Sequence, residues 1–223
     1  MSSATHDRLN KSLLAASEKR LLIWIAERLP RWLHSDHLSA LGLLAMAGAG
    51  AAFMLMRSDP VAGAGLVAFC LLLNWFGDSL DGTLARVRSQ LRPRYGYYVD
   101  HVIDLAGTAM LFAGLAASGF MSPLVAALFV ASFFLVSGET YLATHARGVF
   151  KMSFLGVGPT ELRIILAAGA VALIGSPVVS PLGMAEVRLF DLGGMVGVAG
   201  MVTTFIVSSV RNAHALYLEE TVR

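Results

Sequence analysis

The sequence predicts an all-α integral membrane protein, with six transmembrane helices preceded by an interfacial amphipathic helix. Three observations carry that prediction. Of the 223 residues, 56% are hydrophobic and only 14% are charged, where a soluble domain carries roughly 25%. The uncharged residues fall in runs long enough for the roughly 20-residue helices that cross a hydrocarbon core. The basic residues fall at alternate ends of those runs. A chain of this length is read as one domain.

Residues 1–36 read as a cytoplasmic N-terminal segment. Within it Leu21, Ile25, Leu29, Trp32 and Leu33 share one helical face, bordered by Lys19, Arg20, Glu27, Arg28 and Arg31. That is the pattern of a helix lying against anionic headgroups; an ordinary positively charged flank is the alternative. The first span is Leu38–Met56, entered through Ser35 and Asp36 as N-cap residues. Because it begins so late, no cleavable signal peptide is expected. A polar turn of Arg57, Ser58 and Asp59 follows, with Pro60 placed to open the next helix. The second span begins with Val61–Phe76 and continues past Asp78. The apolar stretch Leu105–Val136 is too long for one span, and Gly119, Ser122 and Pro123 divide it into a third and a fourth. A fifth covers Leu162–Ile174 and a sixth Leu192–Val210, with five and seven as alternative counts. The six-helix domain thus occupies 37–216, followed by a tail at 217–223. Cys70, the one cysteine, lies in an apolar run, so it forms no intrachain disulfide and reads as a small buried hydrophobe. Gly48, Gly50, Gly63 and Gly65 are placed to let helices approach closely.

All 17 Lys and Arg residues except Arg57 and Arg188 fall on one side of this arrangement. By the positive-inside rule, both termini and the connections between spans two and three and between four and five face the cytoplasm. The bacterial inner membrane is the expected location.

Ionisable groups inside membrane helices are costly and by default mark function. Four aspartates crowd the cytoplasmic ends of two adjacent spans: Asp78, Asp81, Asp100 and Asp104. At 100° per residue, Asp78, Asp81, Gly82 and Ala85 fall on one arc of the second helix, with Arg86 at its edge. Gly96, Asp100 and Asp104 stack at successive turns of the third. A short turn through Arg92-Pro93-Arg94 lets the two faces meet, so four carboxylates are expected to point into one polar cavity. Like charges so close repel strongly. A hard divalent cation resolves this, because Mg²⁺ takes carboxylate oxygens and substrate phosphates together. Two ions about 4 Å apart could stabilise both the attacking and the leaving oxygen of a phosphoryl transfer. Gly82 and Ala85 leave room for a nucleotide at the helix backbone. The competing readings are a buried ion-pair network with Arg86, Arg88 and Arg94, and a small transporter or cation-binding protein using the aspartates as a path. For Arg88, Arg92 and Arg94 a solvated basic turn is the expected role. His101, about 100° from Asp100, is given none.

The segment Asp78-x2-Asp81-Gly82-x2-Ala85-Arg86-x9-Gly96-x3-Asp100-x3-Asp104 resembles the signature of the CDP-alcohol phosphotransferase family, with eight matching identities across 27 residues. One departure lies between Arg86 and Gly96, which are separated by one residue more than the family usually has. The resemblance implies a six-span homodimer of phospholipid biosynthesis that uses Mg²⁺ or Mn²⁺, with two ions expected. It implies Asp78, Asp81 and Asp100 as metal ligands, with Asp104 a ligand or the general base. Gly82 and Ala85 would line the CMP site, and Arg86 would steady the site or the diphosphate. The implied partners are a CDP-linked donor, an alcohol or lipid acceptor and membrane lipid, with no nucleic acid.

A second polar region runs from Glu139-Thr140-Tyr141 to Thr160-Glu161-Leu162-Arg163, with His145, Arg147 and Lys151 between. Thr160 and Glu161 suit the start of a helix, and capping alone is one reading of them. The other is that Glu139 and Glu161 bind a polar or cationic alcohol. The stretch is similar to choline- and ethanolamine-phosphotransferases, which implies a donor such as CDP-choline or CDP-ethanolamine with a diacylglycerol acceptor. Alternatively Arg147, Lys151 and Arg163 form a cluster for an anionic acceptor, with CDP-diacylglycerol as donor. His145 is read as an ordinary interfacial residue.

Overall fold

Prolines and short polar turns cut the apolar sequence into helices. The computed structural model describes residues 15–148, 159–180 and 186–221. They form α1 (Ala15–Arg28), α2 (Ser35–Leu55), α3 (Pro60–Val87), α4 (Pro93–Ser118), α5 (Pro123–Arg147), α6 (Pro159–Gly175) and α7 (Leu189–Thr221). A two-stranded antiparallel hairpin, β1 (Val178–Val179) with β2 (Val187–Arg188), lies between α6 and α7. Nothing in the sequence had pointed to it.

Helices α3, α4 and α5 each open on a proline, where the missing N–H has no helical partner to lose. Asp59 caps α3 by accepting from the Ala62 N–H at 3.0 Å. Gly119 (φ 80°) and Gly148 (φ 65°) close α4 and α5 in the left-handed conformation. The α3–α4 turn uses Ser89 in that role, at φ 56°. Its N–H donates to the Arg86 carbonyl and the Gln90 N–H to the Ala85 carbonyl, which is a Schellman closure. The additional residue of the signature spacing falls in this segment.

The protein is nearly all helical. Among the described residues, five helices (α2, α3, α4, α5 and α7) are long and apolar enough to cross a membrane, which makes this an integral membrane protein. α6 has 17 residues, about 25 Å at 1.5 Å per residue.

α2 is the central element and packs most extensively on α3 and α4. Its closest approaches lie where glycines face each other. A Cβ on Gly77 of α3 would sit 2.5 Å from the Leu38 carbonyl oxygen and 2.8 Å from the Gly42 nitrogen. One on Gly50 would sit 2.7 Å from the Met110 carbonyl oxygen of α4, and one on Gly114 would overlap the Gly50 backbone. Small residues permit such contact where apolar lipid supplies no hydrophobic drive. Of the glycines singled out from sequence, Gly48, Gly50 and Gly63 make close contacts, while Gly65 faces open space. The far end of the bundle is tied by Asp191 of α7, which accepts from the Ser122 N–H at the start of α5 at 2.6 Å.

The N-terminal helix differs from expectation. It stops at Arg28 because Pro30 disfavours helical geometry in the residue before it, so Trp32 and Leu33 do not extend its face. Its buried residues are Leu22 and Ala26, packed on Leu38, Leu80 and Leu84. Leu21, Trp24 and Trp32 point outward. The N-cap of α2 is His34, not Ser35 or Asp36. Ser35 instead donates to the Asp81 carbonyl at 2.7 Å, and Asp36 pairs with Arg92.

Candidate active site

The C-terminal third of α3 and the N-terminal third of α4 carry the aspartates. Spacings of three and four residues keep each set on one face, and the short turn between the helices brings the faces together. Asp78, Asp100 and Asp104 each offer a carboxylate oxygen within 4.8 Å of the others, and all three are half-buried. This all-oxygen donor set, contributed by two helices, suits a hard divalent cation.

Asp81 does not join that trio. Its carboxylate accepts from the Ser39 hydroxyl at 2.5 Å and from the Gly82 N–H, so α2 draws it aside. The expected four-carboxylate convergence is therefore three plus one. The register of α2, which sets the position of Ser39, has no trace in the α3–α4 signature.

Arg163 reaches across from α6. Its Nη2 pairs with Asp78 Oδ2 and its Nε donates to Asn74 Oδ1 at 2.7 Å. Asn74 is buried and donates to the Gly42 carbonyl at 2.9 Å. Arg163 thus sits at the carboxylates and is separated from Arg147, with which it had been grouped. Arg147 donates to Asn212 Oδ1 at 2.7 Å and approaches Glu219 at 3.6 Å. Asn212 in turn donates to Glu139 Oε1 at 2.6 Å. Glu139 is therefore engaged in an α5–α7 seam, and Asn212 is a member that sequence reasoning missed. Glu161 lies in the first turn of α6, His145 is exposed near the end of α5, and Lys151 lies outside the described residues.

An aromatic wall completes the site. His101 is buried, with Nδ1 2.6 Å from the Tyr97 carbonyl oxygen. Its ring lies 4.1 Å from that of Tyr97 and 4.8 Å, edge-on, from that of Tyr141. Tyr141, bonded to Ser137, is within electrostatic reach of Asp104 and Asp100.

On the other side the surface is open. A Cβ on Gly82 or Gly96 would meet nothing within 4 Å, so packing within the chain does not require glycine at either place. Ala85 borders a cavity of about 480 Å³ that is also lined by His34, Ser35, Asp36, Gln90 and Arg92. Arg86 is exposed in the last turn of α3.

In the basic turn Arg92 and Arg94 are exposed, as expected, while Arg88 is partly buried. Arg88 donates to the carbonyls of Leu33 (2.5 Å), Leu29 (2.9 Å) and Pro30 (3.0 Å), clamping the α1–α2 connection to the end of α3. Arg92 pairs with Asp36 and lies 4.2 Å from the Tyr95 ring centroid. Arg88→Ala leaves those carbonyls without their charged donor, so we expect a loss of about 1–3 kcal/mol. A lowered unfolding midpoint in detergent would register it, and an unchanged midpoint would show that the clamp is dispensable.

Comparison with known proteins places this geometry. In fold, the chain is similar to the crystal structure of Mycobacterium tuberculosis phosphatidylinositol phosphate synthase (PgsA1) with CDP-DAG bound. The TM-score is 0.58 at 22% identity, covering 89% of this chain and 94% of that one. No curated protein matches by sequence. The family described as CDP-alcohol phosphatidyltransferase matches residues 33–207, a range that contains α2 through α6, most of α7 and every aspartate of the site. The chain belongs to the CDP-alcohol phosphatidyltransferase family, and is an enzyme that transfers a substituted phosphate group from a CDP-linked donor to an alcohol.

Proposed function

We propose that this protein transfers a phosphatidyl group from CDP-diacylglycerol to a polar alcohol, releasing CMP, at the cytoplasmic face of a bacterial inner membrane. The observation that carries the reading is the meeting of Asp78, Asp100 and Asp104 within 4.8 Å across two membrane helices. In this reading α6 is the sixth span, the basic residues hold both termini in the cytoplasm, and the enzyme is a homodimer. The N-terminal helix lies at the interface, its outward Leu21 and Trp24 turned to lipid.

Asp78 and Asp100 are assigned as ligands of Mg²⁺ or Mn²⁺. Asp81, held by Ser39, borders the position of a second ion. Divalent ions held by these residues would offset the charge of the diphosphate and of the departing CMP. The nucleotide lies along the open backbone at Gly82 and Ala85 and reaches the cavity beside Ala85, with Arg86 toward its phosphates. Asp104 takes the proton of the acceptor hydroxyl. That oxygen bonds to the β-phosphorus of the donor as the bond from this phosphorus to the CMP oxygen breaks. A base in this role must reach the hydroxyl directly or through one water.

Two features favour CDP-diacylglycerol over a CDP-choline-type donor. The similar fold with CDP-DAG bound is one. The other is that Asn212 takes Oε1 of Glu139 and ties it into the α5–α7 seam, which engages one oxygen of the carboxylate that a cationic headgroup would need. The assay supplies purified protein in lipid with labelled CDP-diacylglycerol, CDP-choline or CDP-ethanolamine and a panel of alcohols. CMP release from CDP-diacylglycerol is the expected result. Release from the soluble donors alone would reverse the donor assignment, and release from none would refute the reading.

A further inference from the structure

We propose that Arg163 is a resident counter-cation of the carboxylate cluster, exchanged for a divalent ion when the site loads. The inference rests on the reading of Asp78, Asp100 and Asp104 as a metal centre, and it concerns how that centre is kept ready.

Asp78 stands in two arrangements at once. It is one of the three carboxylates that meet within 4.8 Å, and its Oδ2 is taken by Arg163 Nη2. Both side chains are largely shielded, at 14% exposure for Arg163 and 26% for Asp78. Arg163 also acts electrostatically on Asp104. Its single charge partly offsets three clustered acids, and its planar fork suits a carboxylate. A divalent cation offsets more charge from a smaller volume, and while Nη2 is held on Asp78 it meets a carboxylate whose charge is already partly offset and one of whose oxygens is already engaged. The ion is therefore competing with a tethered guanidinium, and its apparent affinity falls by the fraction of protein in which Arg163 is withdrawn.

The guanidinium is held at two points. Arg163 Nε is held by Asn74, which the Gly42 carbonyl fixes in a buried position between α2 and α3. Asn74 lies one helical turn before Asp78, so it orients the guanidinium without being part of the carboxylate trio. α6, which carries Arg163, leans mainly on α3 and touches α7 only lightly. Exchange of the cation thus alters the attachment of α6 to α3.

The test measures Mn²⁺ binding by calorimetry and unfolding midpoints in EDTA and in Mn²⁺, on the full chain reconstituted in lipid. Arg163→Gln is expected to bind Mn²⁺ about tenfold more tightly, the scale of one charge-assisted hydrogen bond removed from the metal-free state. Its midpoint should fall in EDTA and recover toward the wild-type value in Mn²⁺. Arg163→Lys, which keeps charge without the fork, should lie between. Asn74→Leu, which removes the anchor and leaves the acids intact, should also tighten Mn²⁺ binding, and it decides the matter if Arg163→Gln does not fold. Mn²⁺ binding by these variants equal to or weaker than wild type overturns the exchange while leaving the metal centre standing. No Mn²⁺ binding by the wild-type protein removes both.

Discussion

Asp104→Asn should lower CMP release by about 10²–10⁴-fold, the usual contribution of a positioned general base, while CMP still binds in the presence of Mn²⁺. The amide keeps the volume and the oxygen of the side chain but cannot accept the proton of the acceptor hydroxyl. Asp104 lies one turn beyond Asp100 on α4, within electrostatic reach of Asp78 and Asp100 and of Arg163. Tyr141 stands against the same acids from α5. Turnover and Mn²⁺-dependent CMP binding are to be measured on the same preparation. Loss of turnover alone supports the base. Loss of both makes Asp104 primarily a ligand, and full activity dismisses either role.

Gly77→Leu is expected to be strongly damaging although the position touches no substrate. Even its Cβ would lie 2.5 Å from the Leu38 carbonyl oxygen and 3.0 Å from the Gly42 Cα, and both of those atoms belong to backbone. Overpacking of this kind costs about 1–3 kcal/mol. Separating α2 from α3 also withdraws Ser39 from Asp81 and the Gly42 carbonyl from Asn74, so activity should fall with stability. Gly82→Ala is the matching control, since its Cβ meets nothing within 4 Å. That variant should unfold at the wild-type midpoint and raise the KM for the CDP-linked donor. Midpoint and KM measured for both variants separate packing from ligand approach. A Gly77→Leu protein with wild-type midpoint would mean that the α2–α3 contact is looser than described.

The difference between these two glycines also shows how far sequence carries. Both are small residues in a membrane helix, and Gly82 stood out because it falls on the aspartate face. Gly77 carried no signal, since its requirement comes from where α2 crosses α3. The same distinction runs through the site. Asp78, Asp100 and Asp104 were legible because helical periodicity within one turn-connected pair fixes their facing. Asp81 lies on the same arc, yet a hydroxyl from α2 takes it. Arg163 reads from sequence as a charge near the acceptor region, but its pairing with Asp78 spans two intervening helices, α4 and α5, which no local pattern encodes. Helix boundaries followed from Pro60, Pro93 and Pro123 and from Gly119. Pro30 ends α1, although the apolar spacing continues past it to Leu33. The turn arginines illustrate the opposite error. Side-chain chemistry alone makes Arg88 look hydrated, and only the fold shows three carbonyls waiting for it.

The order of the chain gives the Arg163–Asp78 pair a bearing on biogenesis. Synthesis proceeds from the N-terminus, so the acidic helices α3 and α4 leave the ribosome well before α6. An ionisable side chain carried into a membrane helix is costly, and the internal charge that offsets Asp78 has not yet been made. The nascent α2–α4 unit must therefore keep its acids hydrated or borrow a cation from the surrounding water. Arrival of α6 lessens that dependence, because it brings the basic group that pairs with Asp78.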